Sequence, residues 1–249
     1  MRFSGKIVLI TGGNRGIGLA TAHLFAAEGA LVTLVARDRQ RGEAAARQIP
    51  QAIFIPGDVR LASDCASAVR ETLQLRSRLD ILVNGAGVVY RNRTVEQTTE
   101  EEWDTTIDTN VKGAFLMSKY ALPALRQSRG SIINIASYVG LVGLPGAAAY
   151  AASKAALVNL TRTIALDHAH EQIRVNCVCP GSVDTEMIHE AWRVYGDIAE
   201  AQRVWAAKHP LRRIATPDEV ARAILFLASD EASFITGAAL AVDGGITAA

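Results

Sequence analysis

The chain has 249 residues, of which 49% are hydrophobic, 20% charged and 6% aromatic, the profile of a globular protein and not of a charge-rich disordered one. Twenty-six basic residues against twenty-five acidic ones leave a formal charge of +1, which excludes the basic footprint of a nucleic-acid or anionic-membrane binder and points to a small-molecule partner. Folding at this length buries roughly 70% of the unfolded surface, so a large core forms without disulfides or a structural metal, and length alone leaves one large or two small domains open.

Met1–Lys6 leads straight into the apolar run Ile7–Ile10, with no charged region ahead of a longer apolar stretch, so no signal peptide is read and a cytoplasmic protein is expected. Strand-like runs then alternate with longer helical patterns. In chain order the predicted strands are Ile7–Ile10, Leu31–Val35, Ala52–Pro56, Ile81–Val83, Ile132–Ile135, Arg174–Val178 and Ala239–Val242. They lack polar alternation, as expected of strands buried on both faces of a largely parallel sheet. The segments Gly18–Glu28, Ser63–Leu75, Trp103–Arg126, Ala151–His168 and Pro217–Ala228 are long enough for crossover helices. Seven strands and about six helices predict a doubly wound α/β fold, one domain over residues 1–249, with helices on both faces of a mostly parallel seven-stranded sheet. The segment 186–210 fits no strand or crossover helix and suits a lid or a surface helix pair. The longest apolar passage, Tyr138 to Ala152, is broken by Gly140, Gly143, Pro145 and Gly146 and falls short of a membrane helix. Cys65, Cys177 and Cys179 make no Cys-x-x-Cys pair and the histidines lack zinc spacing, so no metal site is expected and the cysteines read as reduced core residues.

In such a sheet ligands bind beyond the carboxyl ends of the strands. After the first strand comes Thr11-Gly12-Gly13-Asn14-Arg15-Gly16-Ile17-Gly18. Glycines between a buried strand and a helix allow backbone to approach a phosphate at the helix N-terminus, although the spacing differs from Gly-x-Gly-x-x-Gly and such a turn also serves tight packing. Asp58-Val59 follows the third strand, Asn84-Gly85-Ala86-Gly87 the fourth and Ser137 the fifth. Tyr150 and Lys154 lie four residues apart, which stacks both on one helix face. Alone this pair also describes a solvated surface; the glycine turn, the asparagine, the serine and the pair in this order read as one site.

With these residues in place the sequence resembles the short-chain dehydrogenase/reductase family over nearly its whole length. The family's glycine motif is matched by Thr11, Gly12, Gly16 and Gly18, and its Asn-Asn-Ala-Gly segment by Asn84-Gly85-Ala86-Gly87, with Gly85 departing from the pattern. The resemblance implies a catalytic tetrad of Asn110, Ser137, Tyr150 and Lys154. It further implies cofactor contacts from Gly12, Asn14, Arg15, Gly16, Ile17, Gly18, Arg37, Asp58, Val59, Asn84, Ala86, Gly87, Tyr150 and Lys154. The segment Pro180-Gly181-Ser182-Val183-Asp184-Thr185 is similar to the one that closes over the nicotinamide in the family, which adds Pro180, Gly181, Val183 and Thr185 to the cofactor set. Asp243-Gly244-Gly245 resembles the C-terminal signature.

The expected chemistry interconverts a secondary alcohol and a ketone by hydride transfer. A free phenol with a pKa near 10 is a poor base at neutral pH; Lys154 and an oxidised nicotinamide would both favour phenolate. Tyr150 is then the general acid/base, Ser137 holds the substrate oxygen, Lys154 holds the ribose, and the resemblance implies that Asn110 positions a water behind the lysine. At the second strand's end Ala36 offers no ribose acceptor, whereas Arg37 and Arg15 suit a 2′-phosphate, so NADP is expected over NAD. Asp38, about twenty residues beyond Gly18, argues the other way.

Substrate walls are expected from Tyr138, Val142, Leu144 and Trp192, with Tyr90, Leu141, Tyr195 and Trp205 nearby and Arg91 and Arg93 at the rim. An apolar or aromatic ketone or alcohol fits them, while a sugar or a small acid held by an arginine stays open. A 3-oxoacyl-[acyl-carrier-protein] reductase is an alternative, with Arg126 and Arg129 as docking residues, and a dinucleotide-binding sensor is the non-enzyme alternative. The resemblance also implies a homotetramer built on the segments Trp103–Arg126 and Ala151–His168.

Overall fold

Successive side chains of the first strand, β1 (Ile7–Thr11), feed two different cores, which is why the run is apolar without interruption. Val8 and Ile10 pack on one side of the sheet with Phe25, Leu34, Ile224 and Leu225. Ile7 and Leu9 pack on the other with Leu82, Met117, Leu125 and Ile164. A computed structural model describes residues 1–193 and 196–248 and contains seven strands in one sheet. The others are β2 (Leu31–Ala36), β3 (Ile53–Pro56), β4 (Ile81–Asn84), β5 (Ser131–Ile135), β6 (Arg174–Pro180) and β7 (Ala239–Val242).

The strand order is β3-β2-β1-β4-β5-β6-β7, and every neighbouring pair is parallel. The sheet is therefore wholly parallel among the described residues, where the sequence suggested mostly parallel. Register is tight at the centre, with Thr11 opposite Val35 on one side and Asn84 on the other. The chain winds outward in both directions from β1 and β4, which opens a crevice at their carboxyl ends.

The helices that cover the sheet are α1 (Gly16–Ala27), α2 (Arg39–Arg47), α3 (Ala62–Arg76), α4 (Glu100–Ile107), α5 (Gly113–Ser128), α6 (Ala148–His168), α7 (Glu186–Trp192), α8 (Ile198–Ala207) and α9 (Pro217–Ala228). Two differ from the sequence reading in a way that matters for the site. The predicted helix Trp103–Arg126 is α4 and α5 joined by a π-helical turn, Asp108–Lys112. Such a turn inserts a residue into the helix and redirects the side chains on it; here it buries Thr109 and Asn110. The nine-residue α2 was missed because its mean hydropathy is low and its signal is a cap: the Asp38 carboxylate accepts from the Arg41 N–H at 2.9 Å.

The segment 186–210 is a helix pair with its own small core. Ile188 and Trp192 of α7 pack against Ala201 and Trp205 of α8. His209 ties this pair to the sheet edge: its Nε2 accepts from the Ser182 N–H at 3.0 Å, and its Nδ1 lies 3.0 Å from the Trp205 carbonyl oxygen. That pattern requires the neutral ring with the proton on Nδ1. No helix among the described residues is long and apolar enough to cross a membrane.

Candidate active site

The loops beyond the strand ends enclose a cleft of about 620 Å³. At one end is the β1–α1 turn. Arg15, the N-cap of α1, makes no side-chain cap bond and the first turn of the helix has no acidic residue, so its free N–H groups and positive end are left to face an anion. A methyl group on Gly18 would stand 2.3 Å from the Gly12 carbonyl oxygen, so the turn tolerates no side chain there. The same reasoning explains the departure at Gly85, where a Cβ would lie 2.8 Å from the Thr11 carbonyl oxygen. The Thr11 hydroxyl accepts from the N–H groups of Gly85 and Ala86 at 3.1 and 3.2 Å and pins the two strand-end loops together. A glycine cradle, an uncapped helix end and a long cleft fit a dinucleotide.

Gly12, Asn14, Arg15, Gly16, Ile17 and Gly18 line this end of the cleft with Arg37, Asp58 and Val59. Asp58 is bound by Arg60, whose guanidinium approaches to 2.6 Å, and its carboxyl is held below the usual range because that pairing outweighs burial. Ala86, Gly87, Pro180, Gly181, Val183 and Thr185 line the middle. Asn84 does not. Its amide donates to Asn134 at 2.9 Å and to Ser118 at 3.3 Å inside the sheet, because a residue still within β4 points along the ladder and into the core, one position before the loop begins.

At the far end stand the buried side chains of Ser137, Tyr150 and Lys154. Tyr150 is in the first turn of α6 and Lys154 one turn on, the ammonium 5.6 Å from the phenol ring centroid. The Lys154 ammonium donates to the Ile135 carbonyl oxygen at 2.7 Å, and burial pulls its pKa down to about 8. Burial pushes the Tyr150 phenol up, while the charge of Arg91 and the Ser137 hydroxyl act against that rise. Arg91, a residue expected only at the rim, thus joins Lys154 as a cation beside the phenol, its guanidinium carbon 6.0 Å from the ring centroid.

Asn110 lies behind this pair. Its Oδ1 accepts from the Val88 N–H at 2.9 Å, and its Nδ2 donates to the Val88 carbonyl oxygen at 3.0 Å and to Ser153 Oγ at 3.0 Å. Ser153, not singled out in the sequence, donates in turn to the Tyr150 carbonyl oxygen at 2.7 Å. Both Nδ2 protons of Asn110 are therefore spent on protein groups, while Oδ1 accepts one bond and keeps a second lone pair.

The substrate-wall residues divide. Tyr138 and Leu144 line the cleft, with Trp205 and Arg91. Val142 is 44% exposed and turned outward, as is Leu141. Trp192 is buried in the core between α7 and α8; in an amphipathic seven-residue helix the largest apolar side chain is drawn into the helix contact. Arg93 pairs with Glu102 at 2.8 Å on the surface, and Tyr195 lies outside the described residues. Arg41, unread in the sequence, lines the cofactor end and pairs with Glu186 at 2.7 Å, with Arg15 3.6 Å from the same carboxylate. The Asp38 cap was the signal that would have placed it.

A phosphate cradle at one end of a switch-point cleft and a buried tyrosine, lysine and serine at the other define an oxidoreductase that uses a nicotinamide dinucleotide on alcohol groups. The chain belongs to the short-chain dehydrogenase/reductase family. The family model described as enoyl-(acyl carrier protein) reductase matches residues 12–247. An uncharacterized oxidoreductase of Thermotoga maritima is 42% identical over the full length of both chains. The 2-(S)-hydroxypropyl-CoM dehydrogenase 3 of Xanthobacter autotrophicus is 40% identical, over 99% of this chain and 98% of its own. Among solved structures, ligand-free aldohexose dehydrogenase of Thermoplasma acidophilum superposes with a TM-score of 0.92 at 36% identity, over 99% of this chain and 96% of its own.

Proposed function

We propose that this chain is an NADP(H)-dependent oxidoreductase that interconverts a secondary alcohol and a ketone, with Tyr150 as general acid/base. The observation that carries the reading is the burial of the Tyr150 phenol beside Ser137, with Lys154 one helical turn away, in a cleft continuous with the glycine cradle. When bound, the nicotinamide supplies or accepts the hydride. Tyr150 takes the alcohol proton, or returns it to the carbonyl, and a buried site makes that transfer sensitive to neighbouring charge. Ser137 donates to the oxygen on which charge develops during reduction. Lys154, held by Ile135, presents its remaining N–H groups toward the cofactor ribose. Asn110 keeps the Val88 loop and the start of α6 in register, and a water behind the lysine would be held by its main chain or by the remaining Oδ1 lone pair.

NADP over NAD is supported by three arginines, Arg15, Arg37 and Arg41, around the cleft end beyond Ala36, a set suited to a dianionic phosphate. Asp38 spends a carboxylate oxygen on the α2 cap, which weakens its case as a ribose acceptor. The segment 186–210 acts as the substrate loop of the single domain, contributing Ile188 and Trp205 to the cleft. A sugar dehydrogenase is the second reading, favoured by the likeness to aldohexose dehydrogenase. The carrier-protein reading loses support because Arg126 is paired with Glu171 at 2.9 Å. A homotetramer is supported by the exposed Trp103, Phe115 and Leu166 on α4, α5 and α6, and light scattering tests it. The decisive test of the function is Tyr150→Phe: cofactor affinity stays within about twofold while turnover falls by ~10²–10⁴. Substantial residual turnover would remove Tyr150 from the role.

A further inference from the structure

Arg91 follows β4 and lines the substrate end of the cleft. Its guanidinium carbon is 6.0 Å from the Tyr150 ring centroid and 5.3 Å from that of Trp205. Its Nε is buried and has no hydrogen-bond partner, and no carboxylate among the described residues pairs with it. The contrast with Arg93, two residues on, is direct: that arginine is paired with Glu102 at 2.8 Å and lies outside the cleft. Lys208 sits on the same tryptophan, its ammonium 4.2 Å from the Trp205 ring centroid, also without a carboxylate partner among the described residues. Burial lowers the Lys208 pKa, and the Arg91 charge lowers it further, so the two cations repel one another across an aromatic wall.

An uncompensated guanidinium in the lining of a half-buried cleft is costly unless an anion completes it, whereas Lys208 is exposed on the outer side of that lining. The planar fork of Arg91 matches a carboxylate, and none of its N–H donors is spent on a protein hydrogen bond among the described residues. The rest of this end is apolar or aromatic, from Tyr138, Leu144 and Trp205, so the ligand combines one charge with a small carbon frame. Resting on the oxidoreductase reading above, we propose that Arg91 is a specificity-determining residue that binds a carboxylate on the substrate, which is a short hydroxy acid or the corresponding oxo acid. The proximity of Arg91 to Tyr150 sets the acid group within a few bonds of the carbon that carries the reacting oxygen.

The test uses 2- and 3-hydroxy acids, each against its own methyl ester, with the wild-type protein and Arg91→Met, reading kcat/KM. The expected result is a wild-type preference of about tenfold or more for at least one acid over its ester, and collapse of that ratio in Arg91→Met. A wild type that takes esters as well as acids overturns the proposal and leaves the oxidoreductase reading standing. So does a variant that loses activity on both without changing the ratio, the outcome expected if Arg91 only braces Trp205. A second readout is independent of turnover: calorimetric titration of the same acids into the protein loaded with oxidised cofactor. Binding that needs Arg91 without turnover supports the anion site and overturns the oxidoreductase reading; neither binding nor turnover of any acid overturns the anion site.

Discussion

Asn110 holds Val88 by both of its main-chain polar groups, accepting from the N–H at 2.9 Å and donating to the carbonyl at 3.0 Å. A side-chain amide here takes the place of a neighbouring strand just after β4 ends, and the π-helical turn between α4 and α5 brings it there. Asn110→Ala leaves the half-buried main-chain groups of Val88 unpaired, at up to about 1–3 kcal/mol each. The expected outcome is a Tm lower by several degrees, at ~2–4 °C per kcal/mol for a chain of this size, with kcat reduced more than cofactor affinity. Thermal melts and steady-state kinetics check it; an unchanged Tm would show that water replaces the amide.

The Lys154 ammonium is buried, and its pKa falls from the ordinary 10.5 to about 8. Between about pH 8 and 10.5 the unfolded chain holds a proton that the folded chain has released, so stability rises with pH across that window. Below about pH 8 both states are protonated and the burial cost is present in full. Wild type should therefore gain stability relative to Lys154→Met from pH 8 toward 10.5, by an amount on the order of 3 kcal/mol. Denaturant melts of both proteins across that range measure it. A pH-independent difference would mean that the ammonium is solvated.

On the proposed NADP reading, Arg41 and Arg37 are the residues expected to distinguish the two dinucleotides. Charge-assisted bonds to a phosphate are worth ~1.5–3 kcal/mol each, so Arg41→Ala and Arg37→Ala should each lower kcat/KM for NADPH by about tenfold or more while changing NADH little. Glu186 competes for Arg41 at 2.7 Å and Arg15 at 3.6 Å, so Glu186→Gln should lower KM for NADPH. An NADH preference in the wild type would overturn the role given to Arg37.

Gly18 and Gly143 make a matched pair. A Cβ on Gly18 would stand 2.3 Å from the Gly12 carbonyl oxygen, whereas nothing lies within 4 Å of one on Gly143. Gly18→Ala should deform the cradle and weaken cofactor binding by more than about tenfold, at a cost of 1–3 kcal/mol in stability. Gly143→Ala should change neither. Fluorescence titration of reduced cofactor measures the difference, and intact binding in Gly18→Ala would mean that the turn relaxes.

The Thr11–Gly18 turn, Ser137 and the Tyr150–Lys154 step are legible in the sequence, because each depends on local backbone geometry or on a single helical repeat. The seven strands were readable for a related reason: a strand buried on both faces must be apolar throughout. Asn84 was misassigned because its partners, Asn134 and Ser118, come from distant parts of the chain. Trp192 was misassigned because helix-to-helix packing, not its own segment, decides which way it faces.

The linear chain thus determined the sheet, the glycine turn after β1 and the order of the candidate site residues, since periodicity and turn chemistry are properties of short segments. Only the tertiary structure decided which charges share a cavity. It assembled Arg91 with Tyr150 and Trp205, and Arg41 with Arg15 and Glu186. These neighbours are separated by tens of residues or more, and charge acts through space on whatever the fold brings near.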